Sequence, residues 1–124
     1  AIKQIAEVFL QDRRTAFQKV VLFAYPRQGL YSLGFVTRDE QEHQLVNVFL
    51  PTAPNPTSGF MLLVPREELV EMAIPVEEAI KLIVSGGSIM TALQAQEVGL
   101  SVGQLTERTV SLPPADTAGK DQEQ

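Results

Sequence analysis

Cysteine is absent from the 124 residues of this chain. Its absence excludes disulfide bonds, thiolate nucleophiles and cysteine-based metal sites, and it suits a reducing compartment. Long apolar runs are also missing, because the longest fall far short of the roughly 20 residues that a membrane-crossing helix needs. No signal peptide is recognisable. The chain begins at Ala1 rather than at a methionine, so we expect it to be a piece of a longer protein.

Basic and acidic residues are unevenly distributed along the chain. Residues 1–38 contain six basic and two acidic residues, a net charge of +4, whereas residues 39–124 contain four basic and thirteen acidic residues, a net charge of −9. No basic residues alternate with stacking aromatics across one face, which argues against nucleic-acid binding. The simpler interpretation of the split is scattered, solvated charge. The alternative is an N-terminal end held near an anionic phospholipid surface.

Four extended apolar segments predict a β-rich core. They cover residues 16–25, 30–38, 44–50 and 59–64. Because a parallel crossover needs a dozen or more residues, the short links between them predict antiparallel pairing. Four such strands in about fifty residues indicate a strongly twisted sheet or a small barrel of four to six strands. The runs "VVLFAY" and "FMLLV" are apolar on both faces, so helices or a partner surface should cover both.

Two amphipathic helices are predicted on either side of these strands, which makes the predicted fold class α+β. The first is the N-terminal helix "AIKQIAEVFLQD", residues 1–12. The second covers about residues 75–85, within "PVEEAIKLIVSGG", and ends at Gly86 or Gly87. The apolar stripe of the second helix comprises Val76, Ala79, Ile80, Ile83 and Val84.

The remaining segments carry weaker patterns. Residues 65–72, "PREELVEM", predict one helical turn followed by a short strand, and residues 88–105 predict a helix and a turn. Residues 107–112, "ERTVSL", predict a late strand. From Pro113 the chain lacks large apolar residues, which predicts a disordered tail over 113–124. We therefore expect a single domain over residues 1–112.

Residues with catalytic chemistry are scarce. His43 is the only histidine, and it lies in the polar turn "DEQEHQ" with no nucleophile close in sequence. The acidic residues beside it, Asp39, Glu40 and Glu42, lack the spaced oxygen ligands and the glycine of a calcium loop. Neither a P-loop nor the glycine pattern of a dinucleotide-binding fold is present. The sequence therefore predicts no catalytic residue, no metal site and no cofactor.

The most distinctive segment is "PTAPNPTSGF", residues 51–60. Its three prolines stiffen the backbone and remove hydrogen-bond donors, while short polar side chains project from that rigid frame. One interpretation is a connection whose side chains bond its own backbone. The alternative is a small polar pocket for an anion, a lipid headgroup or a peptide. The candidate binding residues are Thr52, Pro54, Asn55, Pro56, Thr57, Ser58 and Gly59.

Three motifs together resemble a known family: "AYPRQGLYSLGFVT", "VFLPTAPNPTSGFMLLVPREEL" and "VEEAIKLIVSGG". The family consists of integral membrane proteins of unknown function and includes the plant CONTINUOUS VASCULAR RING proteins. The resemblance extends over roughly residues 1–89. In that family two transmembrane helices precede a soluble domain, and a segment like "AIKQIAEVFLQDRR" follows the second helix. The resemblance implies that this chain is the soluble, cytosol-facing portion of a multi-pass membrane protein, and the basic residues near its start agree.

The resemblance implies little about activity. Plant relatives look to be linked to vascular patterning and to Golgi-associated membrane traffic, and no catalytic residues can be carried over. Within the matched motifs, Tyr25, Pro26 and Arg27 join the loop 52–59 as positions to test. We expect a non-catalytic domain that self-associates or binds a protein partner and is anchored through segments outside this chain. The alternative is a domain that binds a small ligand, anion or headgroup through the loop.

Overall fold

The computed structural model describes residues 16–111, and its fold class is α+β as predicted. The strands are β1 (Lys19–Ala24), β2 (Tyr31–Arg38), β3 (Leu45–Pro51), β4 (Gly59–Pro65) and β5 (Val70–Glu71). The helices are α1 (Val76–Val84) and α2 (Ala92–Ser111), and a 3₁₀ turn covers Arg66–Glu68. The helix predicted over residues 1–12 and the tail predicted over 113–124 lie outside the described residues.

The five strands form one open antiparallel sheet in the order β4-β3-β2-β1-β5. Strands β1 to β4 are neighbours in sequence and in space, because their links are too short for any other pairing. This confirms the four predicted strands, and the sheet is open rather than a closed barrel. The predicted turn and short strand after β4 are also confirmed, and β5 pairs with the outer side of β1. The two edges are therefore β4 and β5.

The link between β4 and β5 forces the sheet to curl. It must carry the chain from one edge to the other, and across a flat sheet these edges would lie roughly 19 Å apart, four strand spacings. From Pro65 to Val70 a fully extended chain reaches at most roughly 17 Å. The 3₁₀ turn within the link shortens that reach further. The two edges must therefore approach each other, which gives the sheet one concave and one convex face.

The two faces of the sheet have different cores. On one face, here called the helix face, Phe17 stacks on Phe35 with ring centroids 4.3 Å apart and lies 5.7 Å from the ring of Phe49. Helices α1 and α2 pack on this face together with β5. The other face, here called the valine face, is filled by the strands themselves and by Leu69 from the link. Its buried valines are Val21, Val36, Val46, Val48 and Val64.

Helix α1 confirms the second predicted helix, but the face that it buries differs from the predicted apolar stripe. Ala79, Leu82 and Ile83 are its buried residues, whereas Val84 is 52% exposed. The stripe omitted Leu82 and wrongly included Val84, because periodicity locates an apolar face only to within about one residue. The helix ends as predicted, with Gly86 and Gly87 at positive φ and their N–H groups donating to Ile83 and Leu82 carbonyls.

Helix α2 is longer than predicted and replaces the strand expected over 107–112. It begins with a capping box, in which the Thr91 hydroxyl accepts from the Gln94 N–H and the Gln94 side chain accepts from the Thr91 N–H. Arg108 near its C-terminal end donates to the Leu69 carbonyl at 2.6 Å. This tertiary contact outweighs the β-propensity of the local sequence. Neither helix within residues 16–111 has the length and hydropathy needed to cross a bilayer.

The packing of α1 generates a stability prediction. Leu82→Ala removes a side chain that is 3% exposed and should lower the free energy of unfolding by about 2–5 kcal/mol, because a cavity remains under the helix. The matched change is Val84→Ala on the same helix, at a side chain that is half exposed. It should lower the free energy of unfolding by less than about 1 kcal/mol. Denaturant unfolding of both variants measures the difference. Equal losses would contradict the packing described for α1.

Candidate functional site

Both predicted binding segments lie at the same end of the sheet. Because β1 to β4 alternate in direction, the turn 25–30 after β1 and the loop 52–58 after β3 emerge on one side. The turn 39–44 after β2 emerges at the opposite end. The seven residues of β3 separate the two ends by roughly 20 Å. His43 therefore does not approach the proline-rich loop.

The polar groups of the loop 52–58 bond mainly to one another. The Thr52 N–H donates to the Ser58 carbonyl at 2.9 Å, and the Thr52 hydroxyl donates to the Asn55 carbonyl at 2.7 Å. The Ser58 and Thr52 hydroxyls lie 2.7 Å apart. Asn55 Oδ1 accepts from both the N–H and the hydroxyl of Thr57, as in an Asx turn. These contacts hold the loop as a closed, rigid connection between β3 and β4.

Gly59 is required where the loop enters β4. A Cβ at this position would lie 2.1 Å from the Leu50 carbonyl oxygen and 2.8 Å from Pro51 Cα. Both contacts are with backbone, so no side-chain adjustment relieves them. The glycine therefore permits the close approach of the two strands at the mouth of the loop.

The segment 25–27 forms the turn between β1 and β2. The Tyr25 N–H donates to the Leu30 carbonyl, and the Tyr25 carbonyl accepts from the Ser32 hydroxyl at 3.1 Å. Gly29 takes a φ of +93°, which closes the turn. The peptide bonds Tyr25–Pro26 and Ala53–Pro54, one in each segment, are cis. Arg27 is exposed, and it is the one basic residue in these two segments.

An apolar cavity of about 370 Å³ lies beside the loop on the helix face. Ala53 is the loop residue that lines it, and the helices and the glycine turn between them form its far wall. Its lining residues are Leu22, Tyr31, Leu33, Ala53, Leu82, Ile83, Gly86, Gly87, Met90 and Val98. The sequence did not predict this cavity, because it forms between elements that are distant along the chain.

Charged side chains gather at the opposite end of the sheet. Arg66, in the link between β4 and β5, contacts the turn between β2 and β3. Its guanidinium lies 2.7 Å from Asp39 Oδ1 and donates to the His43 and Glu40 carbonyls. Glu40 also pairs with Arg38 and, at 3.0 Å, with His43 Nε2. A cavity of about 580 Å³ opens beside these residues. Arg66 ties the β2–β3 turn to the link before β5, a role that its sequence context did not indicate.

Asp39, Glu40 and Glu71 at this end are engaged in ion pairs rather than grouped around a shared point. Lys19 lies 3.7 Å from Asp39 and 3.6 Å from Glu71. Within residues 16–111 no group of three or more histidine, aspartate or glutamate side chains is arranged to hold a metal ion. His43 therefore lies in an exposed turn, where its side chain is paired with that of Glu40. Among residues 16–111, no nucleophile and base converge on the loop 52–58.

Strand β4 presents an apolar surface that the sequence did not predict as exposed. Phe60, Met61 and Leu63 are 57%, 68% and 55% exposed, and Leu45 at the start of β3 is also exposed. Within the part of the chain that the structure describes, the helices therefore leave β4 uncovered, and the predicted alternative of a partner surface stays open. We call Leu45, Phe60, Met61 and Leu63 the edge patch. Such a patch on an edge strand is unusual, because edge strands are normally short or charged.

Comparison with protein families gives a match over residues 1–58, to the family described as "Protein of unknown function (DUF502)". The Arabidopsis thaliana protein named Protein LIKE COV 2 is 35% identical in an alignment of 97 residues that covers 73% of this chain and 37% of that protein. The chain belongs to this family. The matched part of DUF502 covers β1 to β3 and the proline-rich loop, so the edge patch lies mostly beyond it.

Two further relatives from Arabidopsis thaliana match to the same extent. Protein LIKE COV 1 and Protein CONTINUOUS VASCULAR RING 1 are each 34% identical over 97 residues, covering 38% and 36% of their own lengths. The chain thus spans little more than a third of the curated DUF502 relatives it matches. The names of these relatives carry no enzyme activity. No solved structure is significantly similar to the chain.

The loop contacts predict that Thr52 stabilises the connection. Thr52→Val keeps the shape of the side chain but removes the hydroxyl, so the free energy of unfolding should fall by about 1 kcal/mol. Thr52→Ser keeps the hydroxyl and serves as the control, with a smaller loss. Denaturant unfolding of both variants provides the measurement. If the two variants were equally stable, the hydroxyl contacts would not be holding the loop.

The contact at Gly59 predicts a larger effect from a single methyl group. Gly59→Ala should destabilise the protein by about 1–3 kcal/mol, because the strands must separate to admit the Cβ. Gly103→Ala in α2 meets open space and should instead stabilise it by up to about 1 kcal/mol. Thermal unfolding of the two variants compares them directly. An unchanged melting temperature for Gly59→Ala would contradict the described approach of the strands.

Proposed function

We propose that this chain is a non-catalytic, cytosol-facing domain of an integral membrane protein, and that it acts by associating with protein. The association is either with further copies of the chain or with a different partner. The observation that carries the proposal is the edge patch, in which large apolar side chains are exposed along one edge strand. Exposed apolar patches of this kind mark surfaces that interact with proteins, membranes or ligands.

The distribution of ionisable groups supports a non-catalytic role. General acid–base catalysis needs a titratable side chain within hydrogen-bond reach of the reacting group. The loop 52–58 contains no ionisable residue, and its hydroxyl and amide groups bond within the loop. The histidine lies at the other end of the sheet, paired with Glu40. Association therefore accounts for the observed surface with fewer assumptions than a reaction does.

The membrane context is the part of the proposal that depends on the family. The resemblance places two transmembrane helices before a segment like residues 1–14, and the curated relatives are much longer than this chain. Lys3, Arg13 and Arg14 precede the first strand, and positive charge beside a membrane span favours the cytosolic side. The links of plant relatives to membrane traffic and vascular patterning are compatible with an assembly role.

The proposal predicts that the chain associates. Sedimentation velocity of the 124-residue chain across the micromolar range should show mass that rises with concentration. Crosslinking of the longer membrane protein in its native membrane should capture either a second copy or one reproducible partner. A chain that stays monomeric at every concentration, together with a membrane protein that captures neither, would overturn the proposal.

A second function is favoured by the apolar cavity beside the loop. Ala53 lines that cavity and Arg27 lies in the neighbouring turn, so an amphiphile with an anionic head could contact both. The test uses vesicles containing an anionic phospholipid against neutral vesicles, with inorganic phosphate as a separate probe. Arg27→Gln should lose binding at unchanged stability, whereas the triple alanine variant of Asn55, Thr57 and Ser58 should lose both binding and stability, because it removes contacts that hold the loop. If the loop variant lost stability but bound as well as the unmodified chain, the loop would have only a structural role.

A further inference from the structure

The outer edge of β4 carries free backbone hydrogen-bonding groups. On its inner side β4 pairs with β3, and the bonds that flank the strand join Thr52 to Ser58 and Arg66 to Gln44. Because antiparallel pairs alternate, the even-numbered residues between them bond to β3. The N–H and C=O groups of Gly59, Met61 and Leu63 therefore point outward, as does the Pro65 carbonyl. Among residues 16–111, no strand lies on that side.

The side chains along this edge allow another strand to pair with β4, because none of them blocks such pairing. Residues 59–65, "GFMLLVP", contain no charged side chain, and the only proline is at the end of the strand. Edge strands that remain solvated are usually blunted by charge, by an internal proline or by being short. The opposite edge follows that rule, since β5 has two residues and one of them is Glu71. Strand β4 has seven residues and none of these features.

We propose that two copies of the chain pair through β4 in an antiparallel arrangement related by a two-fold axis. This inference rests on the proposed function and names its partner as a second copy. An antiparallel strand pair is self-complementary, so one edge serves both copies. A residue that lies close to a two-fold axis also lies close to the same residue of the second copy. A charged strand would therefore repel itself, whereas β4 is uncharged throughout.

The register that keeps all seven residues paired places Leu62 on the axis. Met61 of one copy then faces Leu63 of the other, and their outward backbone groups exchange both hydrogen bonds. The Gly59 N–H donates to the Pro65 carbonyl of the second copy, so the missing donor of proline falls at the end of the ladder. Apolar side chains meet apolar side chains at every position. The result is a continuous sheet that crosses both copies.

The size of the interface fits a reversible dimer. The exposed parts of the edge patch amount to roughly 400 Å² per copy, so pairing would remove at most roughly 800 Å² of side-chain surface from water, which is the range of weak, transient interfaces below roughly 1,200 Å². The backbone ladder adds to this area. Tethering to a membrane would raise the effective concentration of copies, so a modest interface suffices for the anchored protein.

The absence of cysteine allows a direct test with single-cysteine variants of the 124-residue chain. Leu62→Cys places two thiols on the axis in a non-hydrogen-bonded pair, where Cα atoms lie about 4.5 Å apart, within the range that a disulfide spans. Under mild oxidation this variant should form a disulfide-linked dimer. The matched control is Leu93→Cys on α2, which is highly exposed but distant from β4 and should remain largely monomeric on non-reducing gels.

Charge substitutions test the register independently. Changing both Met61 and Leu63 to lysine sets like charges opposite each other and should weaken dimerisation at least about tenfold. Met61→Lys combined with Leu63→Glu sets opposite charges across the axis and should restore dimerisation toward the wild-type level. Leu93→Lys is the control for an exposed apolar-to-charged change and should have no effect. Circular dichroism confirms that each variant is folded, as expected for exposed positions.

The outcomes separate the β4 pairing from the proposed function. A dimer that neither crosslinks at position 62 nor responds to the double-lysine change overturns the pairing and leaves association through another surface. A chain that is monomeric but captures a different protein through β4 also overturns the second copy as partner. A chain that is monomeric and captures nothing overturns both. Dimerisation with crosslinking at 62 and rescue by the lysine–glutamate pair supports the proposed register.

Discussion

The structure depends on the four-residue link between β4 and β5. These strands are the two edges of the sheet, and so short a link cannot join them across a flat sheet. The resulting curl lets the valine face fill itself from the strands and from Leu69, so that α1 and α2 need to cover only the helix face. The same link carries Arg66, whose contacts with Asp39 and with the His43 carbonyl fix the geometry of that end. The link leads directly to β5 at the opposite edge, so among residues 16–111 no further strand lies beside β4.

The two ends of the sheet have opposite chemistry, and this division decides how the surface can be used. One end holds paired charges, in which Asp39, Glu40 and Glu71 each have a cationic neighbour. The other end holds the proline-rich loop, which is uncharged and whose polar groups bond to one another. The exposed apolar edge of β4 lies between the two ends, and the proposed function follows from that edge.

Association through an edge strand would suit the proposed attachment of the domain to a membrane. Backbone pairing has a fixed geometry and needs little side-chain area, and anchoring confines copies to a surface where weak contacts become effective. A large apolar interface would make the separated copies prone to aggregation. A seven-residue edge strand exposes less apolar surface when the copies are apart. The family match ends at residue 58, just before β4 begins. The alignments with the plant relatives cover 73% of the chain, so they run past that point and include β4.

The sequence alone determined the elements whose cause is local. Alternation of apolar runs with short links was enough for β1 to β4 and their antiparallel order, and the two glycines after "KLIVS" were enough for the end of α1. The three prolines and their polar neighbours were enough to identify the loop as distinctive, but not to decide between pocket and connection. Tertiary structure decided the rest: which residues of α1 are buried, why "ERTVSL" continues α2, and that β4 remains exposed. Those outcomes depend on contacts between residues distant in sequence, such as Arg108 with the Leu69 carbonyl, and local propensities of a few tenths of a kcal/mol cannot anticipate them.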